Sequence, residues 1–200
     1  MLPDSDAVVH LPFRDRQRHD RLAVTVSSQA WTAGGLSRRF WEVGNDGYVS
    51  CGQLSNAGGG VHPLYLHRQV WAFHHPDTPV PAAGGEVMVV DHINRKRWDC
   101  RISNLRLCTR SENARNRGKA KRKRPSTSQY KGVWRKRKRL PDGTLVDRQC
   151  LKPWVSEVSV KGSRKQVKHH ATEKAAGEHY NAEAKRIHGE YACLNVISPD

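Results

Sequence analysis

Asp91 and His92 stand side by side at the end of the apolar run EVMVVDHI, and asparagines follow at positions 104, 113 and 116. A neutral imidazole near its ordinary pKa is the usual base for activating water at pH 7. A carboxylate and an amide carbonyl suit a hard divalent ion that keeps several of its own waters. Hydrolysing a phosphodiester needs an activated water, a cation for the developing charge and a hold on the leaving oxygen, and these residue types supply all three. Asparagine fills helices and strands poorly, because its amide competes with the backbone for hydrogen bonds. Adjacent strand residues point to opposite faces, so Asp91 and His92 must act together where the strand ends and the chain bends.

The elements that would hold these groups are legible nearby. Residues 86–93 read as one strand and ISNLRLCT (102–109) as a second. Thr109-Arg110-Ser111-Glu112 is a T-x-x-E capping box, starting a helix that carries Asn113 and Asn116 on one side. Strand, loop, strand and capped helix thus form one unit, with the candidate site between hairpin and helix. Upstream, WEVGNDGYVSCG (41–52) carries the hairpin signal Asn45-Asp46-Gly47. HRQVWAFHH (67–75) has helical spacing and is closed by Pro76. His67 is expected to pack beside the site. Residues 1–30 give no legible element and are expected to be irregular.

The whole chain of 200 residues has a net charge of +16 and a pI near 10.1. Such a balance points to a polyanion, most often nucleic acid, bound through phosphate neutralisation. Its apolar fraction of 36% is below the roughly 45–50% of ordinary globular chains, so small modules are expected rather than one large core. No apolar run reaches the roughly 18–20 residues of a spanning helix, and the first thirty residues lack a signal-peptide pattern. The expectation is an intracellular protein, not secreted, with no membrane partner. Cys51, Cys100, Cys108, Cys150 and Cys193 form no C-x-x-C pair, which predicts reduced thiols and no zinc site.

GKAKRKRPSTS (118–128) has no apolar side chain larger than alanine. Residues 119–127 therefore read as a basic, flexible linker, its ends on the order of 20 Å apart by random-coil scaling. After it, residues 129–136, 154–162 and 163–170 read as a three-stranded meander. Its first connection, RKRLPDGTLVDRQCLKP, is long for a hairpin and carries a Pro-Asp-Gly turn. From Thr172, Ala175, Ala176, Tyr180, Ala184 and Ile187 make a helical stripe ending at Gly189. The predicted class is α+β, with domains at 31–118 and 128–197.

The spacing D-H-x(11)-N-L-x(7)-N, set by Asp91, His92, Asn104, Leu105 and Asn113, resembles the HNH endonucleases of the phage and intron homing kind. LHRQVWAFHH and the DHIN opening belong to the same resemblance, which covers about residues 41–117. It implies a ββα-metal (His-Me finger) fold. It implies His92 as general base and Asn104 as the residue that hydrogen-bonds across the loop to hold the histidine. Asp91 and Asn113 would be the ligands of one divalent ion, magnesium or else manganese, at the leaving 3′-oxygen. Asn116 is a lesser candidate ligand. Arg106 and Arg110 are compositional candidates for phosphate contact.

Residues 128–196 resemble the plant ethylene-response-factor (Apetala) DNA-binding domain through Y-K-G-V, W-V-S-E-V, T-x(7)-Y, A-x(4)-G and the closing A-C-L-N. That family lays a three-stranded antiparallel sheet in the major groove with one helix packed behind. The resemblance implies DNA contacts from Lys131, Trp134 and Lys136 on the first strand, Glu157 and Ser159 on the second, and Arg164 and Gln166 on the third. It implies a core of Val133, Val155, Val158 and Val167 against Ala175, Ala176 and Tyr180. Val-Lys-His-His replaces the usual Leu-Gly-x-Phe after the third strand, so base preference is not inherited. Taken together, the expectation is a site-specific, metal-dependent DNA endonuclease, in bacterial cytoplasm if phage-encoded, acting as a monomer on double-stranded DNA with no protein partner. The competing expectations are a non-catalytic DNA-binding regulator and a nuclease selective for junctions or RNA.

Overall fold

The computed structural model describes residues 5–14, 21–54, 61–78, 88–120, 126–160 and 163–198, with the side chains at 53–54, 61–62, 160 and 163–166 outside the description. The chain is a mixed α/β protein of small sheets and few helices. It divides into two compact units, Met1–Asn113 and Ala114–Asp200. Among the described residues, no helix is long and apolar enough to cross a membrane.

The first unit begins with β1 (Asp6–Pro12) and β2 (Arg21–Ser27), antiparallel from Asp6↔Ser27 to Pro12↔Arg21. These strands replace the irregular segment expected from the sequence. Their signal is the alternation Leu22, Val24, Val26, of which the last two are fully buried, whereas β1 is half exposed and its mixed polar pattern hides the period. Next come α1 (Ser28–Thr32), β3 (Glu42–Val43), β4 (Val49–Leu54), β5 (Val61–Tyr65) and α2 (Leu66–His74). The turn between β3 and β4 is the one the sequence signals: Gly47 takes φ +83, and Gly44 and Tyr48 close the hairpin.

The candidate site's elements complete the unit: β6 (Met88–His92), β7 (Asp99–Cys100), β8 (Leu105–Thr109) and α3 (Arg110–Asn116). β6 and β8 pair antiparallel, Met88↔Thr109 to His92↔Leu105. Residues 102–104, expected as strand, form a 3-10 turn instead. The capping box closes reciprocally: Glu112 N donates to Thr109 Oγ1 at 3.2 Å, and Thr109 N donates to Glu112 Oε2 at 2.8 Å. Trp41, Val43, Leu66, Val70, Val90 and Leu105 belong to one core beneath the hairpin, each fully buried aliphatic contributing roughly 1.5–3 kcal/mol.

The second unit contains β9 (Val133–Arg135), β10 (Arg137–Arg139), β11 (Leu145–Asp147), β12 (Trp154–Val160), β13 (Ser163–His170) and α4 (Glu173–His188). Its main sheet has the order β13-β12-β9, while β10 and β11 pair only with each other among the described residues. Thr172 caps α4 by accepting from Ala175 N at 3.1 Å. Tyr130, Val133, Val158, Ala176, Tyr180 and Ala184 form the core. Gly132 takes φ +69 against the Tyr180 ring, where a Cβ would meet ring carbons 2.1 Å away, so the position requires glycine. Asn195, from A-C-L-N, clasps the unit: its Oδ1 accepts from Lys131 N at 2.6 Å and its Nδ2 donates to Lys131 O at 3.1 Å.

Two core expectations change. Val155 and Val158 are three apart, so strand alternation puts them on opposite faces. Val155 is fully buried, but on the face away from α4. Val167 pairs with Glu157, on that same outer face, and is 54% exposed. Most of the expected linker, residues 121–125, lies outside the described residues.

Candidate active site and nucleic-acid face

His92 is the last residue of β6, where the strand gives way to a loop that returns through β7 and the 3-10 turn to β8. That loop is tied by Asn104, itself 6% exposed. Asn104 Oδ1 accepts from Asn94 N at 3.0 Å, and its Nδ2 donates to Asn94 Oδ1 at 3.1 Å and to Asp99 O at 2.8 Å. Ile93 N donates to Asn104 O at 2.9 Å, fixing the chain immediately after His92. Asp99 adds a second tie, accepting from Asn94 Nδ2 at 2.6 Å and from Arg101 Nη2 at 2.7 Å. Burial works to raise the Asp99 carboxyl, but the Arg101 and Asn94 hydrogen bonds and the Arg101 charge bring it below the usual range. The loop is thus fixed immediately after the imidazole.

The His92 side chain is buried, its ring 4.8 Å from that of His67 and 6.0 Å from that of Tyr48. His67 enters from the first turn of α2, and its ring lies 5.4 Å from Tyr48 and 5.8 Å from Tyr65. Burial pushes the His92 imidazole down to about 4, countered by the Asp99 charge and aided by Arg97. Burial, with His92 and Arg68, pushes His67 down to about 3. Both rings are neutral at pH 7, and burial opposes their protonation. His67 Nδ1 is buried with no hydrogen-bond partner among the described residues, an unusual state for a buried polar atom. His67 lines a cleft of about 270 Å³ with Tyr48, Tyr65, Arg68, Val90 and Asn113.

Asp91 pairs across the hairpin with Arg106, and its Oδ2 accepts from Arg106 Nε at 3.1 Å and Nη2 at 3.0 Å. The side chains are 8% and 10% exposed, so Arg106 is committed inside the hairpin and the expectation that it touches phosphate gives way. Cys108 relates Asp91 to Asn113. Burial and then the Asp91 carboxylate raise its thiol to about 11, and the Asn113 backbone N–H is hydrogen-bonded to it. The carboxylate and the start of α3 therefore share a neighbour. Asn113 is half-buried and opens on the cleft, while Asn116 is buried.

Asp91 and Asn113 are donor types that suit a hard ion. Among the described residues, no three His, Cys, Asp or Glu side chains gather as a metal cluster. One carboxylate, one amide carbonyl and the ion's own waters do not require such a cluster. Burial and the Asp91 carboxylate hold the nearby Cys108 thiol above its usual range. Arg106 and Asp99 were not singled out for these roles by the sequence, because both act through tertiary pairing that no local pattern carries. His67 packs beside His92, as its place ahead of the helical stripe led us to expect.

In the second unit the register sorts the expected DNA contacts. Trp134 pairs with Val155, Val155 with His169, and Ser159 with Arg164. Trp134, Glu157 and Ser159 therefore share the face away from α4, with Lys136 beside them, its Nζ 2.9 Å from His169 Nδ1. Trp134 is 41% exposed. The opposite face carries Ser156, whose Oγ meets His179 Nδ1 of α4 at 3.0 Å. Lys131 precedes β9, and its Nζ donates to the carbonyls of Arg115 at 2.8 Å and Arg117 at 2.6 Å, main-chain oxygens of the kind that draw ammonium donors. It lines the same cavity as Trp134, Glu157 and Ser159. The backbone of Arg164 falls opposite Ser159, Gln166 lies at a one-residue irregularity, and both side chains are outside the described residues. The five cysteines are free thiols.

A family model for HNH endonucleases matches residues 64–115, a span that contains His67, Asp91, His92, Asn104 and Asn113. No curated protein and no solved structure matches the chain. The matched segment supports an HNH nuclease, a metal-dependent hydrolase that acts on DNA phosphodiester bonds.

Proposed function

We propose that this protein is a site-specific, metal-dependent DNA endonuclease of the homing kind, cutting with its first unit and holding duplex DNA with its second. The observation that carries the reading is the buried, neutral His92 at the end of β6, fixed by the Asn104 loop within the segment that matches HNH endonucleases. In this reading β6, β8 and α3 form a ββα-metal unit. His92 takes the proton from the attacking water, and Asn104 is a positioning residue that acts through the loop. Asp91 and Asn113 would hold a magnesium or manganese ion, which would supply positive charge for the departing 3′-oxygen. The neutral imidazole favours this role, because a protonated one has no lone pair to offer.

The sheet of the second unit, similar in pattern to ethylene-response-factor domains, lays Trp134, Lys136, Glu157 and Ser159 towards DNA, with Arg164 and Gln166 completing the third strand. A water-activating site has no sequence preference of its own. A tethered groove reader makes cutting local by raising the effective concentration to around millimolar.

One observation favours a second reading. Asp91 is already paired with Arg106, as a purely structural carboxylate would be, and a non-catalytic DNA-binding regulator would bind without cutting. Incubating the full chain with a random duplex library and magnesium or manganese separates the two. Cleavage at preferred sites that stops with chelator and in Asp91→Asn supports the nuclease. Tight binding with intact DNA supports the regulator.

A further inference from the structure

Between β9 and β12 the chain leaves the main sheet to form the two-stranded ribbon β10–β11, from Arg137↔Asp147 to Arg139↔Leu145. Of residues 137–151, all but Leu140 are exposed, and a lone two-stranded ribbon has little intrinsic stability. This one is nevertheless fixed at both ends. At the tip, Gly143 takes φ +86, Leu140 N donates to Thr144 O at 2.8 Å, and Thr144 N donates to Asp142 Oδ1 at 2.9 Å. At the base, Arg148 N donates to Lys136 O at 3.0 Å and Lys136 N to Pro153 O at 2.9 Å.

The charges are sorted as well. Residues 135–139 are five consecutive cations, Arg-Lys-Arg-Lys-Arg. Arg135 and Arg137 both turn to the Asp147 carboxylate, at 2.7 Å and 3.5 Å. Alternation then carries Lys136 and Lys138 to the side of the exposed Trp134, while Arg139 at the far end touches Gly143 O, at 3.3 Å. One acid is shared by the two odd positions near the sheet, offsetting one of their two charges, and among the described residues no acid pairs with the even positions or the outer end. A preorganised ribbon carrying unneutralised cations away from a sheet edge is complementary to a rail of phosphates. Lysine and arginine tips without a base-reading amide position the protein rather than specify sequence.

We propose that β10–β11 is a DNA-binding arm that grips the phosphate backbone of duplex flanking the segment under the sheet, through Lys138 and Arg139. The proposal rests on the reading of the second unit as a duplex binder and extends its footprint.

The test measures full-chain binding to a labelled duplex in chelator, so that nothing is cut, across a range of salt. Each phosphate contact contributes about 0.9 to the slope of log affinity against log salt. Lys138→Gln with Arg139→Gln should therefore lower the slope by about 2. Between about 50 and about 200 mM salt, wild-type affinity would then fall roughly tenfold further than the variant's. Lys185→Gln with Arg186→Gln, exposed on α4, removes the same net charge and should leave the slope near wild type. An unchanged thermal transition verifies that each variant is folded. An arm variant with wild-type slope, or one matching the α4 variant, overturns the arm while leaving the sheet reading intact. If wild type shows no salt-dependent duplex binding, the reading of the second unit fails and the arm with it.

Discussion

Replacing Asn104 by alanine removes the amide that ties the loop after His92 to its return. Three side-chain hydrogen bonds disappear, to Asn94 N, Asn94 Oδ1 and Asp99 O. Asn94 Oδ1 keeps the Lys96 N–H at 2.8 Å, so two main-chain groups, Asn94 N and Asp99 O, are stranded. A net hydrogen bond contributes about 1 kcal/mol, and a stranded buried group costs about 1–3 kcal/mol. The expected loss is about 3 kcal/mol, which lowers Tm by on the order of 10 °C for a unit of this size. Thermal and urea unfolding followed by circular dichroism reads it directly. Asn104→Asp keeps the acceptor for Asn94 N but loses both donations, and it turns a carboxylate towards Asn94 Oδ1 and Asp99 O. It should be no more stable than the alanine variant. If Asn104→Ala unfolds within about 0.5 kcal/mol of wild type, the amide does not hold the loop, and the account of how His92 is positioned fails with it.

Arg106→Gln should destabilise the first unit by about 3–5 kcal/mol, because it leaves the buried Asp91 carboxylate without its cation. Adding magnesium or manganese should recover part of that loss by thermal shift if Asp91 is a metal ligand, and no recovery with any divalent ion would remove it from that role. Stability of the first unit should also fall in acid. His67 and His92 have folded values of about 3 and about 4 against 6.5 unfolded. Above pH 6.5 neither form takes a proton and the pair contributes nothing. Below it the unfolded chain binds protons that the folded chain refuses, losing about 1.4 kcal/mol per histidine per pH unit down to the folded values. Unfolding free energies from urea titrations at pH 7 and pH 4.5 should differ by several kcal/mol, with His67→Gln removing about half the difference, and a flat profile would contradict the burial of the two rings.

What the sequence discloses here is mostly local. The Thr109–Glu112 capping box, the Asn-Asp-Gly turn and the Thr172 cap form because their partners lie within three residues, close enough for pattern to carry them. The role of Asn104 across the loop came from the resemblance to HNH endonucleases, while the strand reading of 102–109 misplaced it in what is a 3-10 turn. The Asp91–Arg106 pair and the Asp99 tie depend on a hairpin register that leaves no local mark, and Arg106 in isolation looks like any surface cation. The β1–β2 pairing was hidden because only β2 alternates cleanly, its partner being half exposed. Valine identity did not reveal facing: Val155 and Val167 are set by parity and by the partner across the strand, which register decides. The hold of the Lys131 ammonium on the Arg115 and Arg117 carbonyls is a contact that only the folded chain brings together.

The central claim is that His92 activates water for scission of DNA, and a comparison of wild type with His92→Ala on duplex DNA in magnesium or manganese tests it most directly. The account predicts metal-dependent cutting by the wild type, and loss of cutting by at least about a hundredfold in the variant, with binding retained and the fold intact by circular dichroism. Equal cutting by the two proteins would contradict it.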